Sequence, residues 1–211
     1  MRRPFAPSET LPGGFAFVYA VVGTGTEAMT RLCPGETVSV LGPLGNGFAP
    51  PPSGAIAILA GGGCGTPSLR PLAEAFAAIG SEVWAVVGAK SGEGLLERDG
   101  IGKAAKRLTI ATDDGSAGIR GTAVDGARSF LDDAAGRAVV MYACGPGGMM
   151  AGLARLAAER GVRCEVSLEE RMACGFGACV GCAVEVASGD GFVYKKVCAD
   201  GPVFDAATVR W

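Results

Sequence analysis

Four cysteines near the end of the chain carry the most specific chemical signal. Cys174-Gly175-Phe176-Gly177-Ala178-Cys179-Val180-Gly181-Cys182, followed by Cys198, reads C-x4-C-x2-C-x15-C. Soft thiolate is the ligand that iron–sulfur clusters take, and a [2Fe–2S] cluster takes four. Gly175, Gly177 and Gly181 can adopt positive φ. That lets the loop curl and aim backbone N–H groups at sulfur, which tunes a reduction potential. Two other readings stay open. Zinc held by four cysteines is common, although zinc ribbons pair two short hooks rather than a three-cysteine loop and a single return. Disulfides are the other.

The rest of the composition narrows the field. There is no histidine among the 211 residues, so Ser–His–Asp and Cys–His catalysis and most catalytic zinc sites are excluded. Any chemistry must be carried by a cofactor. A net charge of −2 suggests neither a nucleic-acid partner nor an anionic membrane surface. No apolar run reaches transmembrane length and no signal-peptide pattern opens the chain, so the expected location is cytoplasmic. Thiols stay reduced there, which favours ligation or packing for the eight cysteines. Cys33 and Cys164 read as buried small hydrophobes.

The elements that would position these groups fall into three units. Residues 1–52 hold short β runs at Phe15–Val22 and Thr37–Leu41, with turn clusters between them. Two strands are too few for an independent β domain. Residues 53–167 alternate strand and helix: strands at Ala55–Ala60, Glu82–Val87, Arg107–Ala111, Ala138–Tyr142 and Arg163–Ser167, and helices from Pro67 to Ile79, Val124–Ala135 and Gly147–Arg160. Repeated βα units predict a parallel sheet covered by helices on both faces. Residues 168–211 hold the cysteine loop and a hairpin, Ala183–Ala187 with Phe192–Val197, which would return Cys198 to the loop.

Two glycine-rich loops follow strands of the middle unit. Gly61-Gly62-Gly63-Cys64-Gly65-Thr66 lies between strand and helix, where bare backbone can approach a pyrophosphate. Cys144-Gly145-Pro146 occupies the corresponding place later, so both could face one crevice. Each also reads as a turn that merely permits close packing. Thr112-Asp113-Asp114-Gly115-Ser116 is as well explained by an ordinary polar turn as by a ribose contact. After Val87 comes Gly-Ala-Lys90, with no acid for a ribose hydroxyl, so residues alone do not separate NADH from NADPH.

Taken together, these pieces resemble the ferredoxin-reductase superfamily and, more narrowly, the electron-transfer subunits of class 1B dihydroorotate dehydrogenase. The spacing C-x4-C-x2-C…C is the plant-type ferredoxin order. The resemblance is carried by Arg2-Arg3-Pro4-Phe5, Val21–Thr26, Leu41–Phe48, Thr112–Ser116, Tyr142–Pro146, Glu170–Gly175 and Val197–Asp205. It implies an α/β fold joined to β structure: a partial FAD-binding β-barrel (1–52), an NAD-binding α/β domain (53–167) and a [2Fe–2S] domain (168–211). Cys174, Cys179, Cys182 and Cys198 would be the ligands. Arg3, Pro4, Phe5 and Ala6 match a flavin-binding R-P-x-S segment, with Ala6 in place of the serine. Val18, Tyr19 and Ala20 lie on the next flavin-contacting strand, and Gly25-Thr26 matches a pair at the flavin phosphates. Gly61, Gly62, Gly63, Gly65, Thr66, Cys144, Gly145 and Pro146 match nicotinamide-nucleotide loops. The barrel's opening strands are expected to be missing, which would weaken FAD binding and expose strand edges. The implied activity passes electrons between NAD and an FMN-bearing catalytic partner, in a heterotetramer serving pyrimidine biosynthesis. A related flavin subunit of a bifurcating transhydrogenase or sulfhydrogenase is the second enzyme reading, though such relatives tend to carry aspartate where Cys174 stands. A non-catalytic zinc-binding or regulatory remnant is a third.

Overall fold

In chain order the elements are β1 (Glu9–Leu11), β2 (Gly14–Ala16), α1 (Thr24–Met29), β3 (Ile56–Gly62), α2 (Leu69–Ala78), β4 (Glu82–Ala89), α3 (Arg98–Ala104), β5 (Arg107–Thr112), β6 (Ile119–Arg120), α4 (Ala123–Asp133), β7 (Val139–Cys144), α5 (Gly147–Arg160), β8 (Arg163–Ser167), β9 (Ala183–Ser188), β10 (Gly191–Lys196) and β11 (Val203–Asp205). They are those of a computed structural model that describes residues 3–211.

A seven-stranded sheet, ordered β11-β8-β7-β3-β4-β5-β6, forms the centre. All its pairings are parallel except β11 against β8. Every residue of β3 is buried, as a parallel strand covered on both faces requires. One face packs against α4 and α5 through Phe130, Leu131, Leu153 and Leu156. The other packs against α2 and α3 through Leu69, Ala73, Phe76 and Ile101. Leu69, Ala73 and Phe76 recur every three to four residues, so one stripe of α2 faces the sheet. The helix expected at Gly147–Arg160 has those bounds, ended by Gly161 at φ +63, a conformation glycine adopts without strain. In α4, Thr122 Oγ1 accepts from the Asp125 N–H and Asp125 Oδ2 accepts from the Thr122 N–H, a reciprocal cap of two orphan donors.

Around the edge of this sheet, Glu82 is held by three donors: Trp84 Nε1 at 2.9 Å, Arg137 at 2.9 Å and Lys106 Nζ at 3.1 Å. Arg137 first, then Trp84, hold its carboxyl down from 4.5 to about 2. A carboxylate with a depressed folded pKa stabilises the fold above its unfolded value, and that stabilisation is lost as pH falls toward the folded one. Glu82→Gln is therefore expected to cost about 1 kcal/mol at neutral pH, a modest figure for charge-assisted bonds near the surface. The difference from wild type should shrink between pH 4.5 and 2. Urea unfolding of both proteins across that range measures it, because other acid-labile terms cancel in the difference.

The N-terminal unit departs from expectation. The strand expected over Phe15–Val22 is confined to Gly14–Ala16, which pairs only with β1. Thr37–Leu41 forms no ladder among the described residues. A strand persists only where a neighbouring strand takes its backbone groups, and beyond Ala16 no such ladder is formed by either stretch among the described residues. Apolar side chains stand in solvent here: Val22 is 84% exposed and Val40 62%. Cys33, expected to be buried, is exposed in this stretch, and its N–H donates to Glu36 Oε2.

The cysteine-bearing unit is fused to the sheet. β9 and β10 pair as the expected hairpin, while β11 returns along β8 and extends the central sheet. Cys182, Val186, Val197, Cys198 and Phe204 are continuous with the core beneath α4 and α5.

Candidate functional site

The hairpin brings Cys182 and Cys198 together at its base, after the loop that carries Cys174 and Cys179. Cys174 and Cys179 lie on the preceding loop, Cys182 stands just before β9 and Cys198 just after β10. Cys182 and Cys198 are buried; Cys174 and Cys179 are half-buried. Gly175 (φ +80) and Gly177 (φ +87) take the left-handed conformation the curl needs. Gly181 does not, and sits instead in ordinary contact with Cys179 Sγ. The loop turns its amides inward. The Cys179 N–H donates to Cys174 Sγ at 3.4 Å. With further donation from Phe176, it draws the Cys174 thiol down to about 6. Burial pushes the Cys198 thiol up, and the neighbouring sulfurs of Cys182 and Cys174 push the same way. Among the described residues, no three Cys, Asp or Glu side chains close round a single ion. The set nonetheless suits an iron–sulfur cluster in donor type, in backbone amides aimed at sulfur and in the cover given by buried Cys182 and Cys198.

The glycine loops meet at the sheet's switch point. The chain runs outward from β3 through β4 and β5, then returns to place β7 on the other side of β3. In open α/β sheets ligands bind where the order reverses, beyond the strands' carboxyl ends. A Cβ at Gly65 would lie 2.5 Å from the carbonyl of Cys144 and the nitrogen of Gly145. One at Gly62 would lie 2.7 Å from Met149 Sδ, and one at Gly61 2.9 Å from Thr66. The two loops touch along bare backbone, as their positions in sequence suggested. Thr66 Oγ1 is buried there with no hydrogen-bond partner among the described residues. Gly63 has φ +52, Cys64 is exposed and Pro146 stands at the solvent side. The helix expected to open at Pro67 begins two residues later, after a tight turn at Gly63–Gly65. Thr112–Ser116 is internally satisfied: Asp114 Oδ1 accepts from the N–H and hydroxyl of Ser116. Burial pushes the Cys144 thiol up, which fits a packed group. Cys164, pushed up to about 12 by burial, is the core residue it was expected to be.

The segments matched to flavin binding also converge. Arg2 lies outside the described residues. A Cβ at Gly25 would lie 3.0 Å from the Arg3 guanidinium, so the Arg3 side chain reaches the first turn of α1. Phe5 stacks on Phe17 at 4.7 Å and tilts against Tyr19 at 5.8 Å, an aromatic platform with Val18 and Ala20 exposed beside it. Thr26 Oγ1 accepts from the N–H groups of Val22 and Gly23 and donates to the Gly23 carbonyl. Its hydroxyl shapes the turn.

Two residues without a role in the sequence reading tie these parts together. The Asn46 N–H donates to the Gly201 carbonyl at 2.6 Å, and its amide reaches the Asp200 carbonyl at 3.1 Å. Lys196 Nζ donates to the Gly177 carbonyl at 2.8 Å. A basic residue two places before the fourth cysteine was the available signal for Lys196. Nothing local marks Asn46, whose partners lie over 150 residues away.

With this geometry, similarity to known proteins becomes interpretable. The electron transfer subunit of dihydroorotate dehydrogenase B (NAD(+)) from Bacillus caldolyticus is 42% identical over 215 residues, covering 99% of this chain and 80% of the relative. The one from Desulforamulus reducens is 38% identical, covering 94% of this chain and 75% of its own length. The chain belongs to this family. Residues 169–210 match the family model for the iron–sulfur cluster binding domain of dihydroorotate dehydrogenase B. Among solved structures, an NADH-dependent reduced ferredoxin-NADP oxidoreductase, described for flavin-based electron bifurcation, superposes with a TM-score of 0.85 at 34% identity, over all of this chain and 74% of that one. As a member of this family, the chain is an oxidoreductase electron transfer component with a reductase-like α/β fold. Among the described residues, no helix is long and apolar enough to cross a membrane.

Proposed function

We propose that this chain passes electrons between NAD and an FMN-containing dihydroorotate dehydrogenase subunit, within a cytoplasmic heterotetramer that serves pyrimidine biosynthesis. The reading rests on four cysteines at one hairpin, Cys182 and Cys198 at its base and Cys174 and Cys179 on the loop before it, with the Cys179 amide turned toward Cys174. Cys174, Cys179, Cys182 and Cys198 would hold a [2Fe–2S] cluster. Arg3–Ala6, Val18–Ala20 and Gly25-Thr26 would hold FAD. Gly61–Thr66 and Cys144–Pro146 would hold NAD. When bound, FAD exchanges a hydride with the nicotinamide, and the cluster takes and gives single electrons. The chain's own residues supply no proton chemistry. They orient the groups, exclude water with buried Cys182 and Cys198, and aim amides at sulfur. Phe176 and Val180, 54% and 77% exposed on the cysteine loop, offer an apolar contact for the catalytic subunit.

The second reading, a flavin subunit of a bifurcating enzyme, draws on the similarity to the ferredoxin-NADP oxidoreductase. The higher identity to dihydroorotate dehydrogenase B subunits and the cysteine at position 174 favour the first. Anaerobic purification, metal and acid-labile sulfide analysis, and co-expression with the catalytic subunit test it. Stoichiometric iron and sulfide with NAD reduction coupled to dihydroorotate oxidation are expected. Stoichiometric zinc without sulfide would overturn it.

A further inference from the structure

Lys196 is the last residue of β10, two positions before Cys198, and it joins the two halves of the four-cysteine site. Its backbone winds the turn that carries Cys198: the Lys196 carbonyl accepts from the N–H groups of Ala199 and Asp200 at 3.1 and 2.8 Å, and its own N–H donates to Asp200 Oδ2 at 2.7 Å. Its side chain crosses to the other half, where Nζ donates to the Gly177 carbonyl. Turn and loop touch at that point, since a Cβ at Gly177 would lie 3.1 Å from Ala199 Cβ.

The Gly177 carbonyl lies on the loop between Cys174 and Cys179, and the Cys179 N–H donates to Cys174 Sγ at 3.4 Å. An ammonium at the Gly177 oxygen ties the loop to the turn and places a positive charge beside it. Asp200 Oδ2 accepts from the Lys196 N–H and Asp200 Oδ1 faces Lys195 Nζ at 3.9 Å, so this carboxylate pairs with those groups while the Lys196 ammonium meets Gly177. Hydrogen bonds to sulfur and local net charge are two of the quantities that set an iron–sulfur potential. We propose that Lys196 is a positioning and tuning residue for the four-cysteine site: it ties the loop at Gly177 to the turn that carries Cys198 and holds a positive charge beside the loop, raising the reduction potential of the cluster bound there. The proposal rests on the [2Fe–2S] reading of the site.

The test is an EPR-monitored redox titration of the subunit in its complex with the catalytic subunit, in wild type, Lys196→Met, Lys196→Gln and Lys196→Arg. Lys196→Met is expected to retain iron and sulfide while its reduction equilibrium falls about tenfold, equivalent to about 59 mV for a one-electron couple. Lys196→Gln keeps a donor without the charge, so it guards against failure of the methionine variant to assemble, and its potential should also fall. Arginine should restore the wild-type potential, which a merely structural role would not require. Wild-type potentials in both uncharged variants with the cluster intact would overturn the proposal alone. Zinc in the wild-type protein would overturn the reading of the site as well, and is detected before any variant is made.

Discussion

Cys198→Ala is expected to abolish iron and acid-labile sulfide incorporation and with it all electron delivery to the catalytic subunit, while the α/β domain stays folded. Cys198 supplies the only sulfur of the four that lies outside the 174–182 loop. It is buried at 6% exposure beside the buried Cys182, so no solvent thiol or nearby residue takes its place. Alanine fills almost the same volume, and the backbone of the turn is set by Lys196 and Asn46 rather than by the thiol, so the packing penalty is small. Cys164→Ala is the control. That thiol is just as buried, on β8, but remote in role. Its removal should leave the visible spectrum intact and cost roughly 1 kcal/mol for the lost apolar contact. Iron and sulfide analysis with thermal unfolding separates the two. Full iron content in Cys198→Ala would remove this residue from the ligand set.

The cysteine set was legible because it is local. Three cysteines fall within nine residues, and the expected hairpin carries Cys198 back to their loop. The βα alternation was legible for the same reason, since each buried strand is a short apolar run that needs no partner to be seen. What escaped depends on distant chain or on segments whose propensity points elsewhere. The helix Arg98–Ala104 contains Gly100 and Gly102, each unfavourable in a helix by about 1 kcal/mol relative to alanine. A Cβ at Gly100 would lie 2.5 Å from Glu97 Oε2 and 2.8 Å from Arg70 Cδ, so those side chains would have to shift to admit one. β6 has two residues and β11 three, too few for a period. Arg70 also donates to Glu9 at 2.6 Å, a tie between the first β-hairpin and α2 that neither segment announces. In the N-terminal unit the error ran the other way. β-Rich runs marked strands at Phe15–Val22 and Thr37–Leu41, but such composition indicates only a propensity, and ladders need a neighbour.

Gly65→Ala should weaken NADH binding at least tenfold, or about 1.4 kcal/mol, and leave the cluster untouched. The added methyl would sit 2.5 Å from three backbone atoms of the Cys144–Gly145 peptide. Backbone cannot rotate away as a side chain can, so the loop after β3 and the loop after β7 must separate. The same overpacking should cost about 1–3 kcal/mol of stability. The switch-point crevice would widen at the place where both loops are expected to meet the nucleotide, and Thr66 Oγ1 would move with them. Gly63→Ala distinguishes this from a general intolerance of the loop. Nothing lies within 4 Å of a Cβ at Gly63, but its φ of +52 disfavours any side chain, so the expected cost is roughly 1 kcal/mol of stability without spreading the loops. Calorimetric titration with NADH, set beside unfolding of each variant, reads both quantities. Wild-type affinity in Gly65→Ala would mean that the contact between the two loops serves packing alone, and that the nucleotide lies elsewhere on the sheet.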